Sequence, residues 1–151
     1  MPDDGARPDQ HDEQAAWQRS RREAAAEHAD VLARRKSAET EQARGLLAAF
    51  VRTAQERGIA PTPLRARAFN GRSTYRTGLT GWYLKRNRSL AVDADANFYV
   101  LSTQTSIVSW MRGATVTPSD PPLVVGVGGR DGESMPLQQL LDLRLQAADG
   151  W

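Results

Sequence analysis

The clearest pattern of apolar and polar positions lies in residues 81–103, with the sequence GWYLKRNRSLAVDADANFYVLST. Apolar and polar residues alternate there in three short runs. The runs are separated by residues 87–89 and 93–97, which are rich in turn-forming residues. This pattern predicts three consecutive antiparallel strands.

The lengths of the two turns set the pairing of these strands. A three-residue turn at 87–89 pairs Leu84 with Val92, whereas a two-residue turn would mix polar and apolar residues on each face. The turn at 93–97 pairs Val92 with Phe98. Both turns then predict one apolar face, made of Trp82, Leu84, Leu90, Val92, Phe98 and Val100.

The opposite face of these strands is too apolar to be fully solvated. Its predicted members are Tyr83, Lys85, Ala91, Tyr99 and Leu101. Two interpretations remain open. Either a helix or loop of the same chain covers this face, or the face binds a ligand or a partner.

The N-terminal third of the chain is predicted to be helical. Residues 13–57 contain no proline and one glycine, Gly45, so one long helix or two in succession is expected. Gly58 and Pro61 supply the stop signal. In the second half, apolar residues at helical spacing predict packing on a core. These residues are Ala43, Leu46, Leu47, Phe50, Val51 and Ala54.

The first half of this helix, residues 13–37, is predicted to be a charged arm. Trp17, Ala24, Val31 and Ala38 recur at seven-residue spacing, but the other seam positions of the heptad are polar. The stripe is therefore too thin for a coiled coil of its own.

The arm is either a solvated extension or a contact to a second chain. We expect it to lie across the second face of the sheet in another subunit, which would make the protein a two-fold homodimer. The predicted interface consists of Trp17 and Val31 from one chain and Tyr83, Tyr99 and Leu101 from the other.

Further elements flank the central strands. Residues 62–69 alternate in polarity and contain Pro63, which lacks an N–H, so an edge strand is predicted. Residues 70–80 are predicted to be a loop, and 106–112 either a strand or a short helix.

The C-terminal part is predicted to contain a rigid break at 117–122, a short strand at 123–127, a loop at 128–134 and a final helix. Ser134 is the expected N-cap of this helix, with Pro136 in its first turn. Its apolar side carries Leu137, Leu140, Leu141 and Leu145.

These elements predict an α+β fold: an antiparallel β-meander of four or five strands packed against a long N-terminal helix and a C-terminal helix. The predicted organisation is a disordered tail at 1–12, the charged helical arm at 13–37 and one α+β domain at 38–151. The start of the chain lacks the apolar segment of a signal peptide, and no run is long enough to span a membrane, so we expect a cytoplasmic protein.

Charge is distributed unevenly along the chain although the net charge is only +2. Residues 1–57 carry 10 basic and 11 acidic side chains, 58–92 carry 7 basic and none acidic, and 93–151 carry 3 basic and 7 acidic. The middle segment could neutralise phosphates while its aromatic residues stack on bases. Alternatively, its arginines pair with acids elsewhere in the chain. The candidate residues are Arg65, Arg67, Arg72, Arg76, Lys85, Arg86 and Arg88, with Tyr75 among them.

Two motifs resemble ligand loops and fail in their details. Residues 93–97 match the first ligands of an EF-hand, but Phe98 stands where glycine is needed and Gln104 where glutamate is needed, so a hairpin turn is favoured. Residues 126–132 approach a phosphate-binding loop, but Asp131 replaces its last glycine and, with Glu133, would repel an anion.

Catalytic or metal chemistry is not favoured by the residues present. The chain has no cysteine, and its two histidines, His11 and His28, lie in the tail and on the arm. We therefore expect no metal, no cofactor and no enzymatic activity.

The segments GWYLKRNRSLAVDADANFYVL and SDPPLVVGVGGRDGES, followed by a leucine-rich helix, resemble small uncharacterised proteins of high-GC actinobacteria. The resemblance covers residues 81–151. It implies no activity and no functional residue. The sequence thus favours a non-enzymatic binding or assembly module that self-associates, and the alternative is a nucleic-acid-binding protein that uses the basic 65–88 surface.

Overall fold

The computed structural model describes residues 8–68, 72–103, 116–126 and 134–151. Their order is helix, five strands, a small second sheet and a helix. The elements are α1 (Pro8–Glu56), β1 (Thr62–Ala68), β2 (Thr74–Tyr83), β3 (Leu90–Asp93), β4 (Phe98–Val100), β5 (Ser102–Thr103), β6 (Val124–Val125), β7 (Met135–Pro136) and α2 (Leu137–Ala147). The predicted α+β class is confirmed.

The main sheet has the strand order β4-β3-β2-β1-β5. Strands β1 to β4 form an antiparallel meander in chain order, and β5 joins β1 as a short parallel strand. Because β5 pairs with Arg67 and Ala68, the prediction of β1 as an edge strand is wrong for its C-terminal end. Pro63 lies in the N-terminal half of β1, where the described pairing is with β2 and not with β5. The missing N–H of Pro63 therefore costs no hydrogen bond on the side of β1 that faces β5.

The prediction of a loop at 70–80 is also wrong, since β2 begins at Thr74. The β1–β2 pairing shifts between Pro63 and Arg65, and Gly78 opposite this shift has φ +73°. Glycine adopts this left-handed conformation without a Cβ clash, which permits a bulge inside the strand. The Thr77 hydroxyl donates to the Leu64 carbonyl and replaces part of the interrupted ladder.

The β3–β4 register is confirmed, because Leu90 pairs with Val100 and Val92 with Phe98. The predicted β2–β3 register is wrong by two residues: Val92 pairs with Trp82, and the Leu84 N–H donates to the Leu90 carbonyl. The turn is longer than expected, spanning residues 85–89. A shift of two residues preserves the side-chain alternation, so the predicted faces survive the error.

The main hydrophobic core lies between one face of the sheet, α1 and α2. Trp82 is its largest buried side chain; its indole N–H donates to the Ile59 carbonyl, and its ring meets Phe50 edge-on. The predicted face contributes Trp82, Leu84, Val92 and Phe98 as buried residues, whereas Leu90 is half-buried and Val100 is exposed. Val100 is exposed because β4 is a short strand at the edge of the sheet.

A second buried cluster occupies the opposite face of the sheet. Leu101 is fully buried and Tyr99 is 4% exposed, and both pack with Leu64 and Ala91. The interpretation that the chain itself covers this face is therefore correct for Ala91, Tyr99 and Leu101, whereas Tyr83 and Lys85 are only half-buried. Tyr99 and Leu101 are not available to the arm of a second subunit, so that part of the predicted interface is wrong.

Helix α1 ends as its sequence predicts. Gly58 has φ +71°, its N–H donates to the Gln55 carbonyl, and the Ile59 N–H reaches back to the Ala54 carbonyl. These two bonds form a Schellman motif, in which a left-handed glycine closes the helix. At the other end, α1 begins at Pro8, so residues 8–12 are helical and the predicted tail is too long.

The C-terminal elements follow the predicted order with shifted boundaries. Val124 and Val125 pair with Met135 and Pro136, and α2 follows directly. Pro136 is the N-cap of α2, not Ser134, because Met135 and Pro136 belong to the strand. The expectations for residues 106–112 and 127–133 lie outside the described residues.

The chain divides into two compact units, Met1–Ala38 and Glu39–Trp151. In the first unit the described chain is the N-terminal part of α1, in which every residue from 9 to 38 is exposed. The second unit holds both sheets, both hydrophobic clusters and α2.

Candidate anion-binding groove

Basic residues from three parts of the second unit line one groove. Two adjoining cavities of about 250 and 380 Å³ share Arg65, Tyr83, Arg86 and Arg88 in their walls. The groove cations are Arg65, Arg67, Lys85, Arg86, Arg88 and Arg144. The structure thus brings together five of the predicted basic residues and adds Arg144.

Tyr83 lies at the centre of this groove and connects its walls. Its hydroxyl accepts a hydrogen bond from the Arg65 backbone N–H at 2.9 Å, and the Arg88 guanidinium lies 5.4 Å from its ring centroid. Its carbonyl accepts a bond from Arg144 Nε at 2.8 Å. Tyr83, predicted as a contact to a second subunit, is therefore a structural part of the groove.

Arg144 is the most buried cation of the groove, with 7% of its surface exposed. Burial lowers the pKa of its guanidinium, and the nearby Asp149 carboxylate opposes that effect. Its N–H groups bond to the carbonyls of Tyr83 and Ala148. Because those bonds engage the side chain, Arg144 supplies positive charge to the groove without being free to move.

Trp151 forms an aromatic wall beside Arg144. The guanidinium carbons of Arg86 and Arg144 lie 5.1 and 5.9 Å from its ring centroid. Its indole N–H is buried and has no hydrogen-bond partner among the residues that the structure describes. The sequence analysis missed Arg144 and Trp151, although Arg144 continues the Leu137–Leu140–Leu141 stripe of α2, and a charged residue on a buried stripe was a usable signal.

Among the described residues, no carboxylate forms an ion pair with a groove cation, although Asp149 lies near Arg144. The ion pairs recorded there join Arg44 to Glu41 and Asp120, away from the groove. Among the described lining residues, Asp149 is the sole acid. The expectation that Arg65 and Arg67 pair with acids elsewhere in the chain is not met in the described residues.

Three predicted basic-surface residues do not line the groove. Arg76 is exposed and pairs directly with Arg65 across the β1–β2 ladder. Two like charges at paired positions are unfavourable unless an anion lies nearby. Tyr75 is half-buried on β2, and Arg72 is exposed before the strand begins.

An apolar cavity of about 300 Å³ adjoins the groove on the side of α2. Lys85, Arg86 and Trp151 belong to both. Its apolar residues are Val125, Met135, Leu140 and Leu143. The groove therefore offers a polar and an apolar wall to a bound molecule.

The hairpin turn predicted at 93–97 is confirmed, and its carboxylate serves the turn. Asp93 Oδ1 accepts the N–H groups of Asp95 and Asn97, and Oδ2 accepts the Tyr99 hydroxyl at 2.8 Å. Burial, followed by the bond to Asp93, raises the pKa of Tyr99 from 10.0 to about 12. In the described part of the chain, no three His, Cys, Asp or Glu side chains are grouped as metal ligands would be.

The arm residues predicted to contact a partner are exposed. Trp17 is 60% exposed and Val31 51%, and Leu32 nearby is 47% exposed. The Arg21 guanidinium lies 4.8 Å from the Trp17 ring centroid.

Comparison with protein-family models, curated proteins and solved structures finds no match to this chain. The resemblance of residues 81–151 to actinobacterial proteins therefore stays a prediction. None of the helices in the described residues has the length and apolarity needed to cross a membrane.

Proposed function

We propose that this protein is a non-enzymatic binding module that holds single-stranded nucleic acid in the basic groove. The observation that carries the proposal is six cations lining two cavities that share four wall residues, with one carboxylate among the described lining residues. Such a concentration of positive charge attracts a phosphate polymer and releases its counterions. We place this activity in the cytoplasm.

The aromatic residues support a single strand over a duplex. Single strands are bound by basic channels whose aromatic side chains stack on the unpaired bases. Tyr83 and Trp151 lie in the groove walls. The Arg88 guanidinium lies over the Tyr83 ring, and the Arg86 guanidinium lies over the Trp151 ring. Guanidinium planes and aromatic rings in alternation are suitable stacking partners for bases.

The side chains of the groove favour binding over catalysis. Its described lining contains arginine, lysine, threonine and asparagine side chains and the Asp149 carboxylate, but no histidine. A general acid and base with separated pKa values would be needed for most hydrolytic chemistry. The available groups instead neutralise charge and donate hydrogen bonds.

The test is binding of a fluorescently labelled single-stranded oligonucleotide, followed by anisotropy at several salt concentrations. Each phosphate neutralised on a single strand contributes a log–log salt slope of about −0.7. The double variant Arg67→Gln/Arg86→Gln should bind more weakly, and its slope should be flatter by up to about 1.4, which is twice that contribution.

The matched control is Arg52→Gln/Arg57→Gln, which removes an exposed arginine of α1 and the exposed arginine that follows its last residue, neither of which lines the groove. It has the same net charge as the groove variant and should bind like the unaltered protein. Equal losses in both variants would show that net charge alone attracts the polymer. Absence of binding at low salt would overturn the proposal.

A second candidate function, self-association, is favoured by the exposure of the arm. Residues 9–39 are all exposed along one helix, and the apolar side chains among them include Trp17, Val31 and Leu32. Helices gain most of their stability from packing rather than from propensity. Light scattering of the full chain tests this function, with a dimer expected and a monomer contradicting it.

A further inference from the structure

We propose that the arm pairs antiparallel with the arm of a second copy of this chain, about a two-fold axis at Ala24. The inference deepens the proposed self-association and rests on it. It replaces the docking on the second sheet face, which is excluded because Tyr99 and Leu101 are buried.

Two exposed apolar side chains set the centre of the pair. Trp17 and Val31 are 60% and 51% exposed, and position 24 lies midway between them. Antiparallel pairing about Ala24 therefore brings Trp17 of one arm to the same level along the helix axis as the partner's Val31. Every residue shares a level with the partner residue whose number makes a total of 48.

One line along the arm collects the residues that would meet. An α-helix turns by about 100° per residue, because it has 3.6 residues per turn. Relative to Ala24, the side chains of Glu13, Trp17, Val31 and Arg35 then lie within about 20° of the same direction. This line defines the seam of the proposed pair.

The seam is complementary to itself when the two helices run in opposite directions. At the shared levels, Trp17 faces the partner's Val31, and Glu13 faces the partner's Arg35. Two-fold symmetry repeats each of these contacts.

A parallel pair in register would place each charge of the seam opposite itself, so Glu13 would meet glutamate and Arg35 would meet arginine. Exposed ion pairs contribute little affinity, about 0–1 kcal/mol. They do determine orientation, because like charges at facing positions are rejected. The affinity comes mainly from Trp17 on Val31, which offers exposed apolar surface on both arms.

Single cysteines test the arrangement directly, since the chain contains none. Ala24→Cys should form a disulfide-linked dimer on mild oxidation, because antiparallel pairing puts position 24 against itself. Ala38→Cys lies on the same exposed stripe and is the matched control. As a single variant it should form no disulfide-linked dimer. The double variant Gln10→Cys/Ala38→Cys should cross-link, because position 10 of one chain and position 38 of the other lie at the same level along the helix axis.

Each outcome decides the proposal. Cross-linking through position 24 and through the 10/38 combination, without cross-linking at 38 alone, supports antiparallel pairing. Cross-linking at both single positions indicates a parallel pair and overturns it. A dimer in light scattering with no cross-link overturns this arrangement but leaves self-association intact, whereas a monomer overturns both. As a second measurement, Arg35→Glu should weaken the dimer and Glu13→Arg/Arg35→Glu should restore it.

Discussion

Removal of the Tyr99 hydroxyl should produce a pH-dependent change in stability. Tyr99 is 4% exposed, and its hydroxyl donates to Asp93 Oδ2 in the turn between β3 and β4. Tyr99→Phe removes this bond and leaves the ring in place. A hydrogen bond to a charged group contributes about 1.5–3 kcal/mol, so the variant should be destabilised by about that amount at neutral pH.

The difference should shrink in alkaline solution. Burial and the Asp93 carboxylate raise the pKa of Tyr99 from 10.0 to about 12 in the folded protein. Because the folded pKa lies above the unfolded pKa, the contribution to stability is complete below about pH 10 and is lost as the pH rises toward about 12. Two pKa units correspond to about 2.7 kcal/mol, which is close to the whole effect of the hydroxyl.

The assay is denaturant unfolding of both proteins at matched pH values. The difference between their free energies of unfolding cancels the titration of all other groups and should fall to about zero near pH 12. Asp93→Asn should move this fall to lower pH, because it removes the negative charge while burial remains. A difference that stays constant between about pH 9 and 12 would refute the reasoning.

Two further predictions use paired substitutions. Gly81→Ala should cost several kcal/mol or prevent folding, because an added Cβ would collide with the Val92 carbonyl oxygen. Gly45 lies on the exposed side of α1 with open space around it. Gly45→Ala should therefore stabilise the protein by about 0.5–1 kcal/mol. Leu84→Ala should cost about 2–5 kcal/mol as a fully buried residue, and Leu90→Ala clearly less because it is half-buried. Thermal or denaturant unfolding measures both pairs; equal effects within either pair would contradict the packing.

The sequence was informative wherever the determinant is local. Side chains in a strand alternate between the two faces with a period of two. The order of the residues was therefore enough to predict that Trp82 and Val92 lie on the same buried face of the sheet. The same holds for the end of α1, since a glycine at position 58 is sufficient for the left-handed closure. The helical stripe from Ala43 to Ala54 is buried as predicted, except for Leu46, which is half-buried.

The sequence was less informative where two separate segments must match. The β2–β3 register was wrong by two residues because turn residues tolerate several loop lengths, and the alternation is unchanged by an even shift. The start of β2 was missed because the glycine in its bulge also suggests a loop.

The groove shows what only the tertiary structure could decide. The sequence located a basic stretch around Arg65 and Arg88, but not which of its members share one surface. Arg144 and Trp151 lie more than fifty residues further along the chain and reach the groove because α2 packs on the main core. Local patterns determine which side of an element is buried, whereas the meeting of distant elements depends on the packing of the whole core.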